Sequence, residues 1–121
     1  MITEEIRTIL THEGMAGLAT SGPDGAAHLV ATWMSYIEVM EDGKTLTFPA
    51  GRYRVTEANV KASSPLQMIV GAKMPKGVGY RLTGRAEFQS DTDLHRRVKE
   101  RFPWCRAAVV LHVEKVEKVL G

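Results

Sequence analysis

Phe48-Pro49-Ala50-Gly51-Arg52-Tyr53-Arg54-Val55-Thr56-Glu57-Ala58-Asn59-Val60 joins a strand to a helix through a Pro/Gly break, and the rest of the chain is arranged around that junction. Lys44 to Phe48 alternates β-branched and aromatic residues, the pattern of a short strand. Pro49 has no N–H for a sheet ladder and Gly51 tolerates unusual dihedrals, so the chain is expected to turn there. From Arg54 or Thr56 onward, Val55, Ala58, Val60 and Ala62 allow two helical turns, closed by Ser63-Ser64-Pro65. The first N–H groups of such a helix are unpaired and sit at the positive end of its dipole. With Arg52, Arg54 and the Thr56 hydroxyl beside them they form a small seat for a phosphate. Spacing alone leaves a second reading open, in which the two arginines are solvated loop charges.

Working outward, the 121 residues make one domain, 1–121, large enough for a core yet near the size at which a partner subunit helps. Hydrophobic residues at 44% and charged residues at 25% place the chain in the ordinary globular class. Sixteen basic residues against fourteen acidic ones leave +2, interspersed along the sequence. That balance argues against nucleic acid, which requires a concentrated basic face. The densest basic run, His95-Arg96-Arg97 to Arg101, contains Glu100 and reads as the polar side of a helix. Cys105 is the only cysteine, which excludes an internal disulfide and points to a reducing compartment. The start, Met1-Ile2-Thr3-Glu4-Glu5, carries acids where a leader carries bases, and no apolar run reaches membrane length. The expectation is a cytoplasmic protein without a membrane span.

Thr3 to Glu13 reads as a first helix, capped by Thr3, with Ile6, Ile9 and Leu10 on one face and Gly14 as its stop. Met15 to Thr20 is a strand, and Ser21-Gly22-Pro23-Asp24-Gly25 a turn. Ala27 to Met40 is too long for one strand of roughly five or six residues, so two strands should meet at a bend near Met34-Ser35. Glu41-Asp42-Gly43 then turns into Lys44 to Phe48. Leu66 to Gly71 and Tyr80 to Gln89 read as strands, the latter with a bulge or close approach at Gly84. Asp91 caps a further helix that Pro103 stops, and Ala107 to Val113 is the last strand before a charged tail, Glu114 to Gly121. The order fits a mainly β chain, a partly closed antiparallel barrel with helices over its openings.

No catalytic residue and no metal ligand is assigned. His12, His28, His95 and His112 lack the spacing of a tetrahedral site. Cys105 reads as a small buried apolar residue. Gly77-x-Gly79 is too short for a dinucleotide fingerprint, and no nucleophile elbow is present. The aromatic residues Trp33, Tyr36 and Trp104 read either as core or as the wall of a slot for a flat ligand.

The run His28-Leu29-Val30-Ala31-Thr32-Trp33-Met34-Ser35-Tyr36, with Thr56-Glu57-Ala58-Asn59-Val60 downstream, resembles the small FMN-binding proteins of anaerobic bacteria. These belong to the flavin split-barrel family that includes pyridoxamine-phosphate oxidases. The likeness runs from Glu13-Gly14 to Trp104-x-Arg106-Ala107-Ala108. It implies a six-stranded antiparallel split barrel with two or three short helices, and a homodimer with one non-covalent FMN per subunit at the interface. By the same resemblance, Val30, Ala31, Thr32 and Trp33 would line the flavin ring, with the Thr32 hydroxyl toward the ribityl phosphate. Phe48, Pro49, Ala50 and Gly51 would border the ring, while Arg54, Val55 and Thr56 form the phosphate segment. Tyr36 and Trp104 would be aromatic neighbours of the flavin, Trp104 from the partner subunit. Leu120-Gly121 would reach across the interface and Glu13 would bias the local charge.

Two positions depart from the family pattern. Val55 stands where a basic residue often precedes the threonine, so Arg54 or Arg52 would have to supply that charge. Ala31 stands where a polar amide can occur. The implied role is an electron carrier between unidentified redox partners. The alternatives are a flavin-dependent oxidoreductase, either a flavin reductase or a pyridoxamine-phosphate-oxidase-like enzyme, and a flavin-free binding barrel. A pyridoxamine-type substrate would require a second phosphate site, for which Lys73, Lys76 and Arg81 are the available cations.

Overall fold

The computed structural model describes all 121 residues. The elements, in chain order, are α1 (Glu4–Ile9), β1 (Met15–Ser21), β2 (Ala27–Trp33), a 3-10 turn (Met34–Tyr36), β3 (Glu38–Val39), β4 (Thr45–Ala50), α2 (Arg54–Lys61), β5 (Leu66–Ala72), β6 (Val78–Gln89), α3 (Asp93–Arg101) and β7 (Ala107–Leu120). All strand pairs are antiparallel and form one sheet in the order β2-β1-β5-β6-β7-β4-β3. The sheet curls into a half-barrel accompanied by the three short helices. The mainly β expectation holds, but with seven strands rather than six. The two strands expected across Ala27–Met40 are β2 and the two-residue β3, separated by the 3-10 turn at the expected bend.

Four local expectations are corrected. Pro49 does not end β4, which runs on to Ala50 with Pro49 opposite Ala108. Val113 N–H donates to the Lys44 carbonyl, so the even-numbered residues of β4 bond β7 and Pro49 faces the other way. On that side β3 reaches only Leu46 and Thr47, so no donor is missed. The charged tail is also strand: β7 continues to Leu120 along β6, where Arg81 pairs with Glu117 at 3.0 Å and Arg85 with Glu114 at 3.1 Å. Opposite charges across a ladder make that polar segment a competent strand. Thr92, not Asp91, caps α3 by accepting from His95 N–H, and α1 stops at Ile9 rather than continuing to Glu13.

The β6–β7 register shifts between Thr83 and Gly84, the expected irregularity. A Cβ at Gly84 would lie 1.9 Å from the His112 carbonyl oxygen, so only glycine lets the two backbones pass. The main core fills the curl with Ile6 and Ile9 of α1, Leu18, Met34, Leu46, Phe48, Leu66, Met68, Leu82, Val109 and Leu111. Val98, Phe102, Cys105 and Ala108 form a second cluster under α3. Between the two, all six residues of β4 are buried, which fixes the strand that leads into the Gly51–Tyr53 connection. No helix is long and apolar enough to cross a membrane.

Candidate functional site

An open cleft of about 400 Å³ lies where β2, the 3-10 turn, the end of β4 and the Trp104 loop converge. From the expected set it gathers Ala31, Thr32, Trp33, Tyr36, Pro49, Gly51 and Trp104. Three further residues line it: Met15, Arg52 and Tyr53. Val30, Phe48, Ala50, Arg54, Val55 and Thr56 do not line it. Phe48 and Ala50 are buried in the core behind the cleft, and Val30 packs against that core. Glu13 is exposed two residues before Met15 and does not line it either.

The aromatic wall is a cluster of three rings. Tyr36 lies 4.6 Å from Phe102 and 6.0 Å from Trp104, and Phe102 lies 5.7 Å from Trp104, centroid to centroid. These are the tilted contacts that aromatic rings favour. Trp104 nevertheless remains 53% exposed and Trp33 50% exposed, so neither is a core residue in the isolated chain. Trp104 lines the cleft of its own chain. A Cβ on Gly51 would meet the Trp104 ring at 3.4 Å, so the indole lies in contact distance over the turn.

The cleft ends at Arg52 and Tyr53, which lead directly into α2. Tyr53 is the N-cap residue and sits in the left-handed region at φ 59, without a side-chain cap bond. Its hydroxyl donates instead to the Ala31 carbonyl at 2.5 Å, tying the connection to β2. Burial pushes the Tyr53 phenol up from its ordinary pKa, against a hydrogen bond with Thr32 that lowers it. Arg106 holds the same connection, donating Nε–H to the Arg52 carbonyl at 3.0 Å.

The first turn of α2 holds the remaining expected residues. Arg54 and Val55 are exposed, and neither Arg52 nor Arg54 is paired with a carboxylate. Thr56 is 2% exposed, and its hydroxyl oxygen is buried without a hydrogen-bond partner. Buried polar atoms are normally satisfied, so an unpartnered hydroxyl at the head of a helix fits a ligand contact there. Nearby on α2, buried Asn59 donates to the Thr20 hydroxyl at 3.1 Å and so is already occupied.

The arrangement fits a ligand with a planar ring and an anionic end. Aromatic and small residues wall the slot, its volume lies within the roughly 300–1,000 Å³ of small-molecule sites, and the unpaired Arg52 stands at the end from which α2 starts. No carboxylate, histidine or lysine lines the cleft. Met15 was missed because it enters through its pairing with Trp33 across β1 and β2, which no local pattern reveals. Tyr53 was missed because a left-handed tyrosine carries no sequence signal.

The family model described as "Pyridoxamine 5'-phosphate oxidase" matches residues 2–119. An FMN-binding protein of Nitratidesulfovibrio vulgaris (strain DSM 19637 / Miyazaki F) is 37% identical over 117 residues, covering 93% of each chain. The crystal structure of Group A Streptococcus HupZ superposes with a TM-score of 0.83 at 20% identity, covering 98% of this chain and 94% of that one. An FMN-binding protein from Syntrophomonas wolfei superposes with a TM-score of 0.75 at 18% identity, covering 98% and 86%. At such identities the two structures establish a shared fold.

Proposed function

The chain belongs to the pyridoxamine 5'-phosphate oxidase family, and from that membership we propose that it is a non-covalent FMN-binding flavoprotein that carries electrons between redox partners. The observation that carries the reading is the unpartnered Thr56 hydroxyl beside unpaired Arg52 and Arg54, at the end of a cleft walled by Trp33, Tyr36 and Trp104. The 37% identical relative named as an FMN-binding protein supports the same cofactor. Bound there, FMN supplies reversible electron transfer, which no side chain of this chain provides.

The chain's own residues then divide the work of binding. Val30 to Trp33 offer backbone groups along the ring, with Tyr36 and Trp104 against its faces and edges. Phe48 and Ala50 hold Pro49 and Gly51 in place from the core. Arg54, the first residue of α2, with Arg52 before it, supplies the charge that Val55 lacks. Thr56 and the first helical N–H groups complete the phosphate seat.

The proposed assembly is a homodimer. Leu29 (74% exposed), Met15 (66%), Trp33 and Ile69 (43%) form one outer face of β2, β1 and β5, with Ala31 and Gly17 between them. Apolar faces of this kind on small proteins are covered by partners. Met15, Ala31 and Trp33 belong to both the face and the cleft, so a second copy would close the flavin site.

Carrier chemistry is favoured over substrate turnover because the cleft holds no carboxylate, histidine or lysine, and of its two tyrosines Tyr53 is tied to the Ala31 carbonyl. None of the three cations available for a second phosphate lines the cleft: Arg81 pairs with Glu117, Lys76 lines a separate cleft with Glu5 and His12, and Lys73 lies outside it. The test is the visible spectrum of the purified protein, with sedimentation alongside. A yellow dimer releasing FMN on denaturation is expected; a protein still colourless after dialysis against FMN would overturn the reading. Multiple turnovers with NADH or NADPH would replace the carrier by an oxidoreductase.

A further inference from the structure

Resting on the FMN reading, we propose that Arg106 is the positioning residue of the phosphate seat. It fixes the Gly51–Tyr53 connection and neutralises Glu57, leaving the head of α2 positive. Glu57 is the fourth residue of α2 and its only acid in the first turn. A free carboxylate there would occupy the positive end of the dipole and repel an incoming phosphate. It is not free. Its Oε1 lies 3.0 Å from Arg106 Nη2 and its Oε2 lies 3.2 Å from Lys61 Nζ. Both side chains of the Arg106–Glu57 pair are largely shielded, at 21% and 16% exposure.

Arg106 is itself held on several sides. Its backbone N–H donates to the Ala50 carbonyl at 2.9 Å, and its guanidinium lies 5.7 Å from the Phe88 ring centroid. Nε–H and Nη2–H both reach the Arg52 carbonyl. One side chain therefore joins the start of β7, two residues after Trp104, to the connection that lines the cleft and to the first turn of α2. With Arg106 absorbed by Glu57, the charges of Arg52 and Arg54 are left for a ligand. An arginine can do this where a lysine cannot, because its planar fork serves a carboxylate and a carbonyl at once.

The test measures FMN and riboflavin affinities of flavin-free protein, since only FMN carries the phosphate. Glu57→Gln should tighten FMN about three- to tenfold, because Arg106 and Lys61 are no longer neutralised, and leave riboflavin within about twofold. Arg106→Ala should weaken FMN about tenfold more than riboflavin, and adding Glu57→Gln should restore most of that difference. Arg106→Lys should keep the FMN-to-riboflavin ratio while weakening both ligands, through loss of the grip on the Arg52 carbonyl. Equal losses of both ligands in Arg106→Ala, with no rescue by Glu57→Gln, would reduce Arg106 to scaffolding and overturn the proposal. Should Arg106→Ala not fold, an unchanged ratio in Glu57→Gln alone overturns it. A wild-type protein that binds neither flavin refutes the underlying reading instead.

Discussion

Replacing Thr56 by valine should move apoprotein stability and FMN affinity in opposite directions. The Thr56 hydroxyl oxygen is buried and unpartnered, so the flavin-free protein bears its desolvation without a compensating bond. An unsatisfied buried polar group costs about 1–3 kcal/mol. Valine keeps the shape, has a similar helix propensity, and exchanges the hydroxyl for a methyl. The flavin-free variant should therefore be more stable by about 1–2 kcal/mol, a rise of roughly 3–5 °C in melting temperature per kcal/mol at this chain length. A hydrogen bond to a charged phosphate is worth about 1.5–3 kcal/mol, so FMN should bind about ten- to a hundredfold more weakly. Riboflavin, lacking the phosphate, should bind as before. Urea denaturation of flavin-free protein and titration of flavin fluorescence read the two quantities separately. A variant that is less stable and yet binds FMN normally would refute the reasoning, because Thr56 would then be an ordinary satisfied core residue.

Other expectations test the scaffold and the wall. Gly84→Ala should destabilise the protein by about 3 kcal/mol in urea, because the new Cβ would strike the His112 carbonyl; a loss below about 1 kcal/mol would mean the strands part easily. Trp104→Ala should brighten the emission of bound flavin, as expected if the indole stands against the ring, and unchanged emission would leave Trp104 without that contact. Asp42 accepts the Lys44 and Thr45 N–H groups at 2.9 Å each and the Thr45 hydroxyl at 2.7 Å, and the bond from Lys44 is the chief cause of its lowered carboxyl pKa. Its contribution is thus present above the ordinary aspartate value near ~4 and lost as pH falls through the lower folded value. Asp42→Ala should accordingly be less stable than wild type at neutral pH, with the gap closing in strong acid; a gap that persists there would contradict the sign.

The parts of the fold that were legible in the sequence were those set by local chemistry. The length of Ala27–Met40 required a break, and the 3-10 turn at Met34–Tyr36 supplies it. Gly84 marked the place where two backbones pass within contact. The misread parts depend on which side of a strand is paired. Pro49 looked like a terminator, but the missing N–H faces the side of β4 that β3 does not reach. Glu114 to Leu120 looked like a solvated tail, yet Arg81 and Arg85 on β6 meet its acids across the ladder. The site divides in the same way. Gly51, Trp104 and the turn residues announce themselves, whereas Met15 joins through its cross-strand partner and Tyr53 through a backbone conformation that glycine usually adopts. Arg106 gave no sign of its bond to the Arg52 carbonyl, because that contact spans 54 positions of the chain.

The most direct measurement is a crystal structure of the protein loaded with FMN. The account predicts the phosphate at the first turn of α2, within hydrogen-bonding distance of the Thr56 hydroxyl, with the ring between Trp33 and Trp104. Density that places the phosphate away from α2, with Thr56 still unpartnered, would contradict it.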